Sequence, residues 1–276
     1  MNSSKTPDSE AWFSGVKLYG DDFTPEQIGR WFQEESEGYA DLGNKQISDY
    51  AYQYHELNYL HGFRHLKKVP NFDQVLGLGA AWGHEFLPLM DKIGHLTIAE
   101  PSEHLRSQEI GSLKPVYVKP EIDGTLDFKE NTFDLVSCFG TLHHIPNVTF
   151  VLGELLRVLK PGGYLLLREP IISLGDWNQA RPGLTKNERG IPVSHFDRIF
   201  REKKVKIISR TYCLTMTYQF QKLFKRVLKK PLTTYRWYIL TDLLLSALLG
   251  WNVRYHARKK MQRMAPSNIF YVIRKT

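Results

Sequence analysis

Residues Val75 to Glu85 read VLGLGAAWGHE, and a second apolar run, His95-Leu96-Thr97-Ile98-Ala99, ends in an acid, Glu100. No other segment narrows the choice of fold so far. Val75-Leu76-Gly77-Leu78 is short, apolar and bounded by glycine, as a buried parallel strand would be. Gly79-Ala80-Ala81-Trp82-Gly83 is a small-residue turn that lets a ligand approach the backbone closely. His84 to Met90 is expected to start a helix, whose first N–H groups suit an anion. The acid after the second strand can accept hydrogen bonds from ribose hydroxyls. Together these are the parts of a nucleotide-type crevice.

Two common fingerprints are excluded. The dinucleotide pattern G-x-G-x-x-G fails, because Ala80, Ala81 and Trp82 follow Gly79. A phosphate P-loop fails for want of Gly-Lys-Ser/Thr. The glycine spacing instead resembles motif I of the class I S-adenosylmethionine-dependent methyltransferases. Further on, Phe128 to Val136 resembles the approach to that family's fourth strand. Leu142-His143-His144-Ile145-Pro146 resembles its Leu-His-His segment, and Leu156 to Leu167, with Pro161-Gly162-Gly163, its helix, turn and fifth strand. The ordered set covers about residues 70–170, and an ordered set is far more specific than one glycine-rich loop. Two positions depart from the pattern. Gly77 stands where the family usually has an acid, and Ala81 where it has glycine; Ala81 fits the turn if its φ is negative.

The resemblance implies an α/β fold: a Rossmann-like seven-stranded sheet with an N-terminal helical cap and an insertion between the last two strands. Residues 1–69 would be the cap, 70–214 the core with a lid loop at 171–192, 215–267 the insertion, and 268–276 the last strand. Within the cap, residues 1–22 look poorly ordered. Thr24-Pro25-Glu26-Gln27 reads as a helix start, and Ser48 to Leu66 as an aromatic-rich helix. Strands are expected at Val116–Val118, Phe133–Phe139, Gly163–Arg168, Val205–Leu214 and Asn268–Lys275, and helices at Asn147–Leu159 and Val193–Phe200.

It also implies a cofactor, S-adenosyl-L-methionine. Gly77, Gly79 and Gly83 would shape the loop around it and Glu100 would bind its ribose. Asp123 would lie near the adenine, although Asp123-Gly124 reads equally well as a turn. Phe139 and Gly140, next to Cys138, would lie beside the methionine moiety. For a hydroxyl acceptor a base helps by taking the proton, and His143 and His144 follow the fourth strand at the crevice edge. One of them would be that base, unless both are structural. Glu169 and Arg168 end the fifth strand at the same rim, and His195 begins the helix after the lid. Arg181 and Asn187 belong to a polar lid, Arg181 to Pro192, similar to that of small-molecule methyltransferases encoded with bacterial surface-polysaccharide enzymes; a plain connector is the other reading. No metal-ligand spacing is evident, and methyl transfer from a sulfonium needs no metal.

Charge separates the C-terminal part from the rest. Residues 201–276 carry 18 Lys and Arg against 2 Asp and Glu, while the remainder carries 19 against 27. Such asymmetry points to an anionic partner. Tyr238 to Leu249 reads as an apolar helix interrupted by Asp242 and Ser246, which are four apart and share a face. It is too short to span a bilayer. Trp237 and Trp251 sit at its ends and lysines and arginines flank it. A packing helix, at a homodimer contact for instance, and a peripheral helix on an anionic cytoplasmic leaflet are both open. Met1 to Glu10 shows no apolar signal core, and the two cysteines, Cys138 and Cys213, read as buried thiols of a reducing compartment. A cytoplasmic enzyme, peripheral on the inner membrane face in the second reading of that helix, is therefore expected. It would act on a small-molecule or lipid-linked acceptor, such as a sugar, by O- or N-methylation. An RNA methyltransferase is an alternative, which the leucines of 243–249 oppose. A catalytically silent binding module, motivated by Gly77 and Ala81, is another.

Overall fold

The computed structural model describes residues 7–38, 51–176, 181 and 184–276. Seven strands form one sheet: β1 (Phe72–Leu78), β2 (Ile93–Ala99), β3 (Val116–Val118), β4 (Phe133–Phe139), β5 (Leu159–Pro170), β6 (Lys206–Thr215) and β7 (Pro266–Arg274). Their order is β3-β2-β1-β4-β5-β7-β6. β7 runs antiparallel to both of its neighbours, and the other paired strands are parallel. β1 and β4 are therefore central and nearly continuous in apolar residues, as the sequence of a doubly covered strand requires. The order reverses between β1 and β4, which opens a crevice beyond their carboxyl ends.

Alternation along the strands builds two cores. On one face Leu76, Val136, Leu165 and Leu167 pack against Leu152 and Leu155 of α4 (Val148–Val158) and Phe196 of α5 (Val193–Glu202). On the other, Val75, Leu135, Leu166 and Phe270 meet Leu57 and Leu60 of α3 (His55–His61) and the 3-10 turn Phe63–Leu66. Truncating a fully buried leucine such as Leu152 to alanine would cost about 2–5 kcal/mol.

Several expectations are revised. Of the residues 1–22 expected to be poorly ordered, 7–22 hold α1 (Pro7–Ser14) and a buried core residue, Leu18, while 1–6 lie outside the described residues. α2 (Pro25–Gly38) does begin at the Thr24 signal, where Thr24 N–H donates to Gln27 Oε1 and Gln27 N–H to Thr24 Oγ1. The helix expected over Ser48–Leu66 is instead α3 and a separate 3-10 turn, with Gly62 between them; residues 48–50 lie outside the described residues. His84–Lys92 is a 3-10 helix, since Pro88 has no N–H for an α-helical bond to the carbonyl four residues back. β5 starts four residues early, at Leu159, and carries Pro161-Gly162-Gly163 as an irregularity in its pairing with β4.

The insertion between β6 and β7 contains α6 (Thr217–Phe224) and α7 (Arg236–Leu249). No helix among the described residues is long and apolar enough to cross a membrane.

Candidate active site

The turn after β1 is built from a few backbone bonds. Gly79 N–H donates to Ala99 O at 2.9 Å, bringing the ends of β1 and β2 together. Gly79 and Gly83 both hold positive φ, and a Cβ at either would overlap Thr141 or Ile110. Ala81 also lies in the left-handed region, at φ 46°, against the expectation of a negative angle and at a cost of about 1–2 kcal/mol. Three hydrogen bonds hold it there: its N–H donates to Glu100 Oε2 at 3.2 Å, its carbonyl accepts Tyr117 Oη–H at 3.0 Å, and Tyr117 in turn accepts Ser107 N–H. Glu100 is buried and also accepts Ser102 N–H at 3.0 Å. Burial raises its pKa against those two bonds.

Gly77 has a steric explanation. A Cβ there would lie 2.8 Å from the Phe86 ring, so the acid common at this position has no room. Another acid arrives from the far side. Gly77 pairs with Ser137 of β4, and Ser137 Oγ donates to Glu85 Oε1 at 2.6 Å. Glu85 is buried, which raises its carboxyl to about 7 despite Ser137 and the charge of Arg168.

At the ends of β4 and β5, Tyr54, Phe139, Gly140, His143, Arg168 and Glu188 help line a cavity of about 310 Å³. Leu214 and Asn268, from the ends of β6 and β7, close its other side. A second hollow, about 430 Å³, is lined by Arg30, Gln33, Glu34 and Lys186 and contains no residue from the strand ends. Arg168 is buried, with its guanidinium 4.1 Å from the Tyr54 ring and Nη1 donating to Asn58 Oδ1.

The loop after β4 is organised by Glu169. Its Oε1 accepts Thr141 N–H and Leu142 N–H, both at 2.9 Å, and its Oε2 meets His143 Nδ1 at 2.8 Å. His143 Nε2 faces Glu188 Oε1 at 3.6 Å. Burial alone would lower the His143 pKa, but the two carboxylates overcome it and raise it to about 9. Burial likewise opposes ionisation of Glu188, yet its pairing with the histidines brings it down to about 2. His144 is different. Its Nδ1 meets Glu35 Oε2 at 3.0 Å, and burial and the neighbouring His143 charge lower it.

The two candidate bases therefore differ. His143 lines the cavity with its pKa raised by two carboxylates, whereas His144, with its pKa lowered, is not among the lining residues. A raised pKa sets His143 against the role of proton acceptor at neutral pH. Ligand-type atoms of His143, His144 and Glu188 lie within 4.8 Å of one another, a grouping that spacing in the sequence did not show. His143 stands between Glu169 and Glu188 in this grouping.

Four of the expected acceptor-side residues, Glu169, Arg181, Asn187 and His195, make their hydrogen bonds within the protein. Glu169 is 0% exposed and both its oxygens are taken. Arg181 donates through Nη1 to the carbonyls of Leu174 and Glu188 and through Nη2 to those of Thr185 and Lys186, which folds the lid on itself. Asn187 binds Glu34 and Glu35 of α2. His195 contacts Thr149, Asp21 and Arg198, and burial drives it down to about 4. Asp123 is exposed, and its Oδ1 accepts Thr125 N–H, so the Asp-Gly turn is what it builds. Phe139 and Gly140, expected beside the methionine moiety, do line the cavity. Sequence reasoning missed Glu188, Glu85 and Arg189. Arg189 is fully buried and donates to the carbonyls of His143, Ile145 and Pro146. Adjacent opposite charges in a glycine- and proline-punctuated lid were the available signal.

Residues 76–167 match the family model described as methyltransferase domain. An uncharacterized methyltransferase of Schizosaccharomyces pombe is 31% identical over 121 residues, 38% of this chain and 42% of its own length. The sterol 24-C-methyltransferase erg6 of the same yeast is 38% identical over 69 residues, 25% of this chain and 18% of its own length. The match thus spans less than half of either relative. Among solved structures, a protein described as a methyltransferase from Bacillus halodurans C-125 superposes with a TM-score of 0.52 at 17% identity, over 77% of this chain and 96% of that one. The YcgJ protein of Bacillus subtilis gives 0.51 at 16% identity, over 80% and 99%. These likenesses are of fold.

Proposed function

We infer that this chain, whose residues 76–167 match the family model described as methyltransferase domain, is a class I S-adenosylmethionine-dependent methyltransferase that methylates an oxygen or nitrogen of a small-molecule or lipid-linked acceptor. The observation that carries the reading is the cavity at the ends of β4 and β5, where Glu188 and Arg168 meet Phe139 and Gly140. Its walls combine apolar rings with a few charged groups, as small-ligand sites do.

The residues fit the cofactor. Gly79 and Gly83 hold the positive-φ turn after β1, Glu100 offers a buried carboxylate after β2, and Glu85 is a buried acid that an ammonium group would satisfy. When bound, S-adenosylmethionine supplies an electrophilic methyl group. We assign Glu100 to the ribose hydroxyls and Glu85 to the methionine end, in place of the acid that Gly77 excludes.

On the acceptor side, Glu188 is ionised at neutral pH and faces the cavity. It accepts a hydrogen bond from the acceptor's O–H or N–H and so aims the lone pair; His143, held by Glu169, fixes Glu188 in turn. Alignment of this kind supplies much of the rate of a displacement reaction. With a pKa near 2, Glu188 is a weak base, which favours amines or activated hydroxyls. The test is transfer of label from methyl-tritiated S-adenosylmethionine to separate lipid, water-soluble and RNA fractions. Label in lipid or small molecules supports the reading; label in RNA, or in none of them, overturns it.

A further inference from the structure

Helix α7 buries two polar side chains and turns an apolar face outward. Asp242 and Ser246 are 0% and 1% exposed, beside the buried Tyr238 and Ile239. Asp242 accepts the N–H groups of Leu214 and Thr215, at 2.7 and 2.6 Å, and Ser246 shares a hydrogen bond with Thr215 Oγ1. The opposite face carries Leu240, Leu244 and Leu248 at four-residue spacing, with Trp237 and Trp251 at the ends. These five are 47–76% exposed. A helix covering a water-soluble protein shows the reverse pattern. The neighbouring segments extend the surface. Tyr238 Oη–H donates to Thr217 Oγ1 of α6, and Asn252 Nδ2 donates to the carbonyls of Met261 and Met264. Leu223, Val227 and Met261 in those segments are each at least 70% exposed. An apolar face of this extent marks an interaction site.

Charge selects the partner. Residues 217–264 hold 11 Lys and Arg and one acid, Asp242, which is buried. A two-fold contact with a second copy would set these like charges against each other, and a nucleic acid has little use for three leucines and two tryptophans in a row. We propose that the outer face of α7 and the lysines beside it dock on an anionic lipid bilayer, with the leucines below the headgroups and the tryptophans at the interface. The helix has 14 residues, about 21 Å, so it lies on the surface and does not span it. Docking places the acceptor cavity at the membrane, because Leu214 lines that cavity and its N–H is held by Asp242. An acceptor embedded in the leaflet would then need to travel only a short way.

Flotation tests this separately from methyl transfer. The full chain is mixed with phosphatidylcholine vesicles, with or without phosphatidylserine, at about 0.05 M and about 0.5 M salt. Flotation should require phosphatidylserine and fall about tenfold or more at the higher salt. The triple substitution Leu240→Ser, Leu244→Ser and Leu248→Ser should abolish it without lowering Tm, as these side chains are exposed. Replacing Lys229, Lys230, Lys259 and Lys260 by Gln should weaken it about tenfold or more. Wild-type protein that binds S-adenosylmethionine yet stays down with anionic vesicles at low salt overturns the proposal. So does flotation that survives loss of the leucines, or a dimer that those serines dissociate. Flotation without cofactor binding would uphold docking while removing the methyl-transfer reading.

Discussion

His143 Nδ1 lies 2.8 Å from Glu169 Oε2, inside a carboxylate that is 0% exposed and is already capping the loop after β4. The pair is a buried ion pair, with Glu188 on the other side of the ring. Its consequence for stability has a definite sign. The folded pKa of His143, about 9, is above the unfolded value near 6.5. The stabilisation is complete below about pH 6.5 and is lost as pH rises through 9. Wild-type Tm should therefore fall relative to that of His143→Gln between pH 6.5 and 9.5, by an amount worth on the order of 2 kcal/mol. Parallel pH curves for the two proteins would show that the ring is neutral.

Glu169→Ala should destabilise the protein by about 3–5 kcal/mol, because it leaves a buried imidazolium and three loop N–H groups, of Thr141, Leu142 and His143, without their acceptor. Urea unfolding gives the value. A loss under about 1 kcal/mol, within the range of an exposed pair, would mean that Glu169 does not organise the loop.

Glu188→Ala should lower kcat about 100-fold, once an acceptor is in hand, and leave cofactor affinity unchanged. The change removes the hydrogen-bond acceptor that aims the lone pair. Full activity would place acceptor alignment elsewhere.

Glu85 opposes folding when ionised, since its folded pKa of about 7 exceeds the unfolded value. That stability cost grows as pH rises from about 4.5 to 7. Glu85→Gln should accordingly raise stability at pH 8 by on the order of 1–2 kcal/mol. It should also weaken S-adenosylmethionine binding and remove the roughly tenfold loss of affinity per unit as pH falls below 7. If Glu85→Gln binds the cofactor as tightly as wild type, the methionine end is held by another residue.

The sheet was legible because its signals are local. Phe133–Phe139 and Val116–Val118 were read from apolar runs and were found at those bounds. Glu100 announced itself by following such a run. The acceptor side was not legible. Glu169, Arg181, Asn187 and His195 have side chains that could bind a ligand, but each is used up by partners as many as 153 residues away. Glu188 reaches the cavity only because Arg181 and Arg189 fold the lid over the loop after β4. The orientation of α7 was half visible. The i, i+4 spacing of Asp242 and Ser246 defined one face, and only the N–H groups at the end of β6 determine that this face is buried.

The most direct measurement is calorimetric titration of the wild-type protein and Glu100→Ala with S-adenosylmethionine. A crevice between the Ala81 turn and Glu100 gives one site per chain and weaker binding in the variant by about 1–3 kcal/mol. No heat of binding to the folded wild type, or equal affinity in the two proteins, would contradict the placement of the cofactor and with it the proposed active site.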